Sequence, residues 1–316
     1  QGRADTGLIP TRRAGAGPAR RAHPREALVD FTEHEAAQVV AKSFETTDDP
    51  RLRELLQGLV QHLHTYVREL RPTAAEWERA IAFLTATGQA CTDTRQEFIL
   101  LSDVLGISML VETINGTDAH GDTTASTVLG PFHMTGSPRR ELGDSIDDTG
   151  TGPVCVVEGR VVDTAGRPVP GATLDVWQAD HHGFYDVQQP GLQPAGNGRG
   201  LFTADAEGRF RFRTVTPSHY PIPTDGPVGE LLLATGRHPY RPAHIHFLVD
   251  AAGYERLVTH VFIADSAYID ADAVFAVKQS LVREFATVDD AAAAAAHGVS
   301  APFTLARFDI VLAAQS

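Results

Sequence analysis

Val154-Cys-Val-Val-Glu-Gly-Arg-Val-Val162, then the turn Ala165-Gly-Arg-Pro168 and the run Ala172-Thr-Leu-Asp-Val-Trp177, is the stretch whose reading decides the fold. Both flanks are rich in β-branched and aromatic residues, and Gly and Pro separate them, so they read as two strands and a turn. The same texture continues downstream. Phe202 and Phe210-Arg-Phe-Arg213, on either side of Glu207-Gly208, predict a hairpin. Ala243 to Val249 and Leu257 to Ile263 predict two more strands. A helix is expected over Ala271 to Phe285 and a last strand over Leu305 to Leu312. The low-complexity run Ala291 to Ala296 takes no assignment. Short strands with Gly/Pro turns at this spacing predict an antiparallel sandwich or barrel.

Upstream, from Glu26 to about Asn115, the pattern is helical. Leu52, Leu55, Leu56, Leu59, Val60, Leu63, Val67 and Leu70 recur in steps of three and four, one stripe of an amphipathic helix. Asp48, Asp49 and Pro50 start it, and Arg71-Pro72 ends it. Thr73 and Glu76 form a capping box for a helix holding Trp77, Ile81, Phe83 and Leu84. Phe98 to Ile114 reads as a third helix, and Gly116 to Thr124 as a polar break. Residues 1–25, rich in Arg, Ala, Gly and Pro, read as a disordered tail. The alternative, a targeting peptide, lacks the apolar core of a secretory signal. The expected fold class is therefore α+β, with a helical segment over 26–125 followed by an antiparallel β-sandwich over 126–316.

Composition narrows the function. The 316 residues are 42% hydrophobic and 21% charged, ordinary for a globular protein. A formal net charge of −13 argues against a nucleic-acid partner. No apolar run approaches the roughly 20 residues that span a bilayer, so no membrane role is expected. Two cysteines, Cys91 and Cys155, fit a reduced cytoplasmic protein and leave no thiolate-rich metal site.

The segment Arg241-Pro-Ala-His-Ile-His246 carries the chemistry. In a strand, residues two apart project to one side, so His244 and His246 stand roughly 6–7 Å apart at Cβ and reach one metal ion. Arg241 adds a fixed cation. Tyr185, closing Asp180-His-His-Gly-Phe-Tyr185, and Tyr220, in Pro217-Ser-His-Tyr-Pro-Ile-Pro223, sit in unusual contexts. Free tyrosine ionises near pH 10, so a tyrosinate needs a strong Lewis acid beside it. Two imidazoles and two phenolates would suit Fe(III) and disfavour zinc. With six tyrosines and fourteen histidines in the chain, most are structural. The plainer reading packs both tyrosines in the sheet with their hydroxyls on backbone groups.

Val157-Glu-Gly-Arg-Val161, Gly166, Val169, Leu174-Asp-Val176 and Gly183-Phe-Tyr185 resemble, in order and spacing, the signature of the intradiol ring-cleavage dioxygenases. Pro-Ser-x-Tyr and Arg-Pro-Ala-His-x-His follow at the family's distances, so the resemblance runs from about Arg25 to the C-terminus. Arg95 to Asp103, Val128 to Phe132, Gly236-Arg-His-Pro239, Thr259-His-Val-Phe262 and Asp272-Ala-Val-Phe275 are most similar to the hydroxyquinol-cleaving branch. There His260 stands where catechol-specific relatives carry Gln. His133, where many relatives have Tyr or Trp, departs from the pattern, and so does the Arg-rich tail.

The resemblance implies one Fe(III) per subunit, held by Tyr185, Tyr220, His244 and His246. It implies an ortho-diphenol and O2 as substrates and a ring-opened dicarboxylate as product. Binding of the diphenol displaces Tyr220, which takes up a proton. Arg241 steadies negative charge on the substrate, and His260 assists the rearrangement or contacts substrate. The expected pocket comprises Leu100, Asp103, Val128, Gly130, Phe132, Ile222, Pro223 and Val274. A homodimer through the N-terminal helices is expected, with a bound lipid at its interface. Three rivals stay open: a catechol or chlorocatechol 1,2-dioxygenase, a non-catalytic β-sandwich binding module, and a cupin-like zinc or Fe(II) enzyme using the His pair.

Overall fold

The computed structural model describes residues 31–92, 95–116 and 122–315, so the tail expected over 1–25 lies outside the described residues. The chain divides into two compact units, Gln1–Ala82 and Phe83–Ser316.

The first unit holds α1 (Ala36–Lys42), α2 (Pro50–Leu70) and the start of α3 (Ala74–Gln89). Local chemistry sets these boundaries as expected. The Asp49 carboxylate accepts the N–H groups of Arg51 and Leu52 at 2.8 and 3.2 Å, capping α2 behind Pro50. Arg71 turns left-handed at φ 51° and ends it. Glu76 accepts the Thr73 N–H at 2.7 Å while Thr73 Oγ1 accepts the Glu76 N–H, the predicted capping box. The apolar stripe of α2 buries no residue within the chain.

In the second unit, α4 (Glu97–Val104) and α5 (Ile107–Asn115) replace the single helix expected over 98–114. The break is Gly106, at φ +72°, a conformation that side chains beyond glycine rarely adopt. Apolar periodicity runs on through the glycine, so the pattern hides the break. Leu100, Leu101, Val104 and Met109 join the same core as the strands. The second compact unit therefore begins at Phe83 and includes these helices. The change in sequence texture marks a change of secondary structure, not of core.

Two five-stranded sheets follow. β1 (Val154–Asp163), β4 (Arg209–Val215), β10 (Phe285–Val288), β11 (Phe303–Arg307) and β12 (Ile310–Leu312) form one, with β1 at its centre. The other runs in the order β3 (Arg199–Thr203), β2 (Thr173–Gln178), β7 (His244–Asp250), β8 (Leu257–Ile263), β9 (Val282–Arg283). β5 (Tyr220–Pro221) and β6 (Tyr240–Arg241) make a separate two-stranded ribbon. Pairing is antiparallel except between β1 and both β11 and β12, and between β8 and β9. Side chains from the two sheets interdigitate: Phe202 stacks on Phe212 at 5.2 Å between centroids, and Phe210 meets Phe247 at 6.0 Å. Each such buried ring contributes about 1.5–3 kcal/mol. Two short helices, α6 (Pro227–Ala234) and α7 (Ala291–His297), complete the fold.

Three local expectations are corrected, and one unassigned run gains a structure. The hairpin over 202–213 is absent, because β3 pairs with β2 and β4 with β1. The chain changes sheet at that turn, a choice made by the sandwich and not by the turn residues. The helix over 271–285 is absent too. The Asp272 carboxylate accepts the N–H groups of Val274 and Ala276, Phe275 turns to φ 60°, and the sheet edges recruit Val282–Arg283 and Phe285–Val288 as strands. The last strand is split at Phe308-Asp309 into β11 and β12. The low-complexity alanines are helix α7, capped by Asp290.

Candidate metal centre

β7 projects His244 and His246 to one side, as the two-residue repeat requires, and their Nε2 atoms stand 3.1 Å apart. The Tyr185 hydroxyl lies 3.2 Å from His246 Nε2 and 3.4 Å from the Tyr220 hydroxyl. All four side chains are buried. The β5–β6 ribbon sets Tyr220 directly opposite Arg241, whose Nη1 is 3.5 Å from the Tyr220 hydroxyl. Gly183 explains the Gly-Phe-Tyr motif. At φ +87°, a Cβ there would stand 2.8 Å from the His219 carbonyl and 3.0 Å from Tyr220 Cβ, so only glycine lets the two tyrosine-bearing loops meet.

Proton positions follow from the partners. His244 Nδ1 lies 2.7 Å from the Pro242 carbonyl, which can only accept, so Nδ1 carries the proton and Nε2 presents a lone pair. Burial holds the His244, His246 and His260 imidazoles well below the ordinary histidine range, and neighbouring positive charge adds to this. Burial also drives Tyr185 well above the usual phenol range, with Tyr220 adding to the shift and Arg241 and Arg199 opposing it. Neutral imidazoles and two phenol oxygens thus converge, with the His244 Nε2 lone pair inward. That arrangement asks for a cation.

His260 stands opposite His246 in the β7–β8 register. Its Nδ1 meets the Thr127 hydroxyl and its Nε2 has no hydrogen-bond partner. Ligand atoms of His244, His246 and His260 all lie within 4.8 Å of one another. Three histidines and two tyrosines therefore surround one point, and two donor sets compete for it. Hard phenolate oxygens select a ferric ion, whereas three histidines alone suit a divalent one.

Arg241 is fixed by Asp272. Its Nε and Nη2 donate to the two carboxylate oxygens at 3.1 and 3.3 Å, and each side chain is 2% exposed. Sequence reading quoted Asp272 within a motif but gave it no role. The second acidic group missed is Asp186, next to Tyr185, which pairs with buried Arg199 at 2.7 Å and pins the Tyr185 loop. Trp177 was read only as a strand residue. It stacks on His246 at 4.6 Å between centroids, and register places the two directly opposite.

The expected pocket residues are placed unevenly. Phe132 stacks on Tyr185 at 4.5 Å, and a Cβ on Gly130 would lie 3.2 Å from His246 Cε1. Val274 donates its N–H to Asp272. Leu100, Val128, Ile222 and Val274 share the main core, and Pro223 is half-buried with no recorded partner at the centre. Asp103 is 2% exposed and one carboxylate oxygen lacks a partner. Burial raises its pKa, opposed by the Ser108 hydroxyl and the charge of Arg241.

Comparisons with known proteins give the family. Residues 129–314 match the family described as Dioxygenase, and residues 49–123 match Catechol dioxygenase N terminus. The chain is 51% identical to the hydroxyquinol 1,2-dioxygenase of a Rhizobium species, over 83% of this chain and 88% of that protein. It is 49% identical to the 6-chlorohydroxyquinol 1,2-dioxygenase of Cupriavidus pinatubonensis, over 83% and 95%. The crystal structure of the Pseudomonas putida hydroxyquinol 1,2-dioxygenase superposes with a TM-score of 0.83 at 47% identity, covering 90% of this chain and 99% of that one.

Proposed function

This chain belongs to the intradiol ring-cleavage dioxygenase family, and from that premise we propose that it cleaves hydroxyquinol between its ortho hydroxyls. Both atoms of O2 enter the product, 3-hydroxy-cis,cis-muconate or its tautomer maleylacetate. The observation that carries the reading is the convergence of Tyr185, Tyr220, His244 and His246 beside a buried arginine. Fe(III) fits this donor set, because two buried phenols and two lone-pair imidazoles supply hard oxygens and neutral nitrogens. When bound, Fe(III) supplies Lewis acidity toward both diphenol oxygens and the electron acceptance that opens the ring to O2.

The protein's own residues do the rest. Tyr220, whose oxygen accepts from Arg241, would as a phenolate take a proton from the incoming diphenol and become a neutral phenol. Arg241 steadies the negative charge that develops on the substrate, at no reorganisation cost because Asp272 already holds it. His260 Nε2, buried and free of a partner, contacts substrate. Phe132, stacked on Tyr185, and Gly130, beside His246, line the substrate side of the centre. Leu100, Val128, Ile222, Pro223 and Val274 enclose the ring, and Asp103 accepts a hydrogen bond from the third hydroxyl.

The purified, iron-loaded protein is expected to be reddish from tyrosinate-to-iron charge transfer, and the band should shift on anaerobic addition of hydroxyquinol. A colourless protein with a full complement of divalent metal would instead establish the three-histidine set of His244, His246 and His260.

Asp103→Asn tests the substrate assignment. The ratio of hydroxyquinol to catechol turnover is expected to fall about tenfold or more, the worth of a hydrogen bond to a charged group. The same change should raise stability at pH 7. Asp103 has a raised folded pKa, so its buried charge is a full penalty above that pKa, and the penalty fades as pH falls from the folded value to the lower unfolded one. An unmoved activity ratio removes Asp103 from the pocket and leaves a catechol-type specificity.

A homodimer through α2 and the start of α3 is part of the proposal. Leu59, Leu63, Tyr66 and Leu70 are each more than half exposed, an apolar stripe that a second copy would cover. A lipid chain held at the same stripe would co-extract with the dimer in organic solvent. Sedimentation at micromolar concentration should give the dimer mass, and a monomer would end this part of the proposal. No described helix is long and apolar enough to cross a membrane, and both cysteines are free, which fits a cytoplasmic enzyme; cell fractionation checks the location.

A further inference from the structure

A cavity of about 730 Å³ shares no lining residue with the metal centre. It opens where β11 breaks into β12, beside Gly159 of β1 and the start of β4. Five arginines and three carboxylates line it, with Leu142 and the buried Phe210 and Phe308 behind them. This local excess of positive charge stands on a chain of formal net charge −13.

Sheet register creates an unfavourable pair there. Arg160 of β1 lies directly opposite Arg209 of β4. Opposed residues stand about 4.5–5.5 Å apart at Cβ, where like charges weaken a ladder. Among the described residues, neither guanidinium has a partner to offset this. The carboxylates nearby accept other donors than these two guanidinium groups. Glu158 accepts from Arg307 at 2.9 Å, and it faces Arg211 across the ladder. Asp205 caps its own turn by accepting the N–H groups of Glu207 and Arg209. Asp309 accepts the N–H of Arg160. Arg283 spends one donor on the Val282 carbonyl and lies 5.2 Å from the Phe308 ring centroid, its remaining donors free for a ligand.

We propose that this cavity binds a small organic dicarboxylate. Guanidinium forks match carboxylates two bonds at a time. One carboxylate sits between Arg160 and Arg209 and relieves their repulsion. The other reaches Arg283, and the carbon chain spans the cavity between them. An inorganic oxyanion would satisfy only the first of these contacts and leave Arg283 without its carboxylate. The ring-opened product is such a dicarboxylate, and the choice of ligand class rests on the reaction proposed above.

The test is equilibrium dialysis of the iron-loaded protein against cis,cis-muconate at low salt, comparing the unchanged chain with Arg160→Ala/Arg209→Ala. Both residues are exposed, so the variant should fold and its initial ring-cleavage rate should be unchanged. The unchanged chain is expected to show a saturable site that the double variant weakens by about tenfold or more, the worth of charged hydrogen bonds. Arg160→Lys/Arg209→Lys, which keeps charge and loses the fork, should fall between them. Equal binding by the unchanged chain and the alanine variant overturns the site. Displacement of muconate by an equal concentration of inorganic phosphate overturns the dicarboxylate class. Failure of the protein to cleave any diphenol sinks the reaction and is read in a different assay from the dialysis.

Discussion

Tyr185→Phe is expected to lose most of the ferric colour and on the order of 10³-fold in ring cleavage, the scale of removing a group that stabilises charge at the centre. The fold should survive, because only one oxygen is lost and the ring keeps its stack on Phe132. In the metal-free protein burial keeps this phenol protonated. Its proton leaves only when a strong Lewis acid binds, so iron affinity should rise with pH, by about tenfold per unit for each proton released. His260→Asn is the companion. If phenolates hold the metal, that variant keeps its iron and its colour while Tyr185→Phe loses both. The opposite ranking, measured by metal content and visible absorption, would establish the three-histidine centre and end the ferric reading.

The second large effect is expected at Arg241 and its anchor. Arg241→Met should lower kcat and kcat/KM together, each by about 10²–10³-fold, because the charge it meets develops after binding. A rise in KM alone would make it a binding residue only. Asp272→Asn leaves Arg241 buried without its counter-charge, and removing one partner of a buried pair costs about 3–5 kcal/mol. Both groups are 2% exposed, so solvent does not soften that figure. Asp272→Asn should therefore lower the melting temperature clearly and, by loosening the guanidinium, lower kcat by about 10–100-fold. The two substitutions share one interaction, so the double variant should be less impaired than the two single effects combined predict. Additive losses would show that Asp272 shapes its own loop and nothing more.

The local signals were legible wherever neighbours within four residues decide the outcome. Asp49-Pro50, the Thr73/Glu76 box, and the strands over 154–162, 172–177 and 257–263 all lie where pattern put them. Legibility failed wherever a distant partner chose. Glu207-Gly208 looks like a hairpin turn, but β3 and β4 belong to different sheets. Residues 271–285 carry a helical pattern, yet Asp272 spends its carboxylate on two N–H groups of the following turn and on Arg241. No periodicity marks that use.

The site divides the same way. The two-residue spacing of His244 and His246 needs only a strand to aim both rings at one point, and sequence alone settles it. Motif order added Tyr185, Tyr220 and Arg241 as members of one family's centre. What brings them together is tertiary: the β5–β6 register sets Tyr220 beside Arg241, and the β7–β8 register sets His260 on His246. Thr127, 133 residues before His260, reaches its ring only through the folded core. Sequence by itself determined the helix caps, the strand faces and the chemical types at the centre, because bonds between near neighbours enforce them. Only the tertiary structure decided which sheet each strand joins, that Asp272 anchors the arginine, and that two unpartnered arginines face each other across a ladder, because those depend on pairings beyond the reach of local sequence pattern.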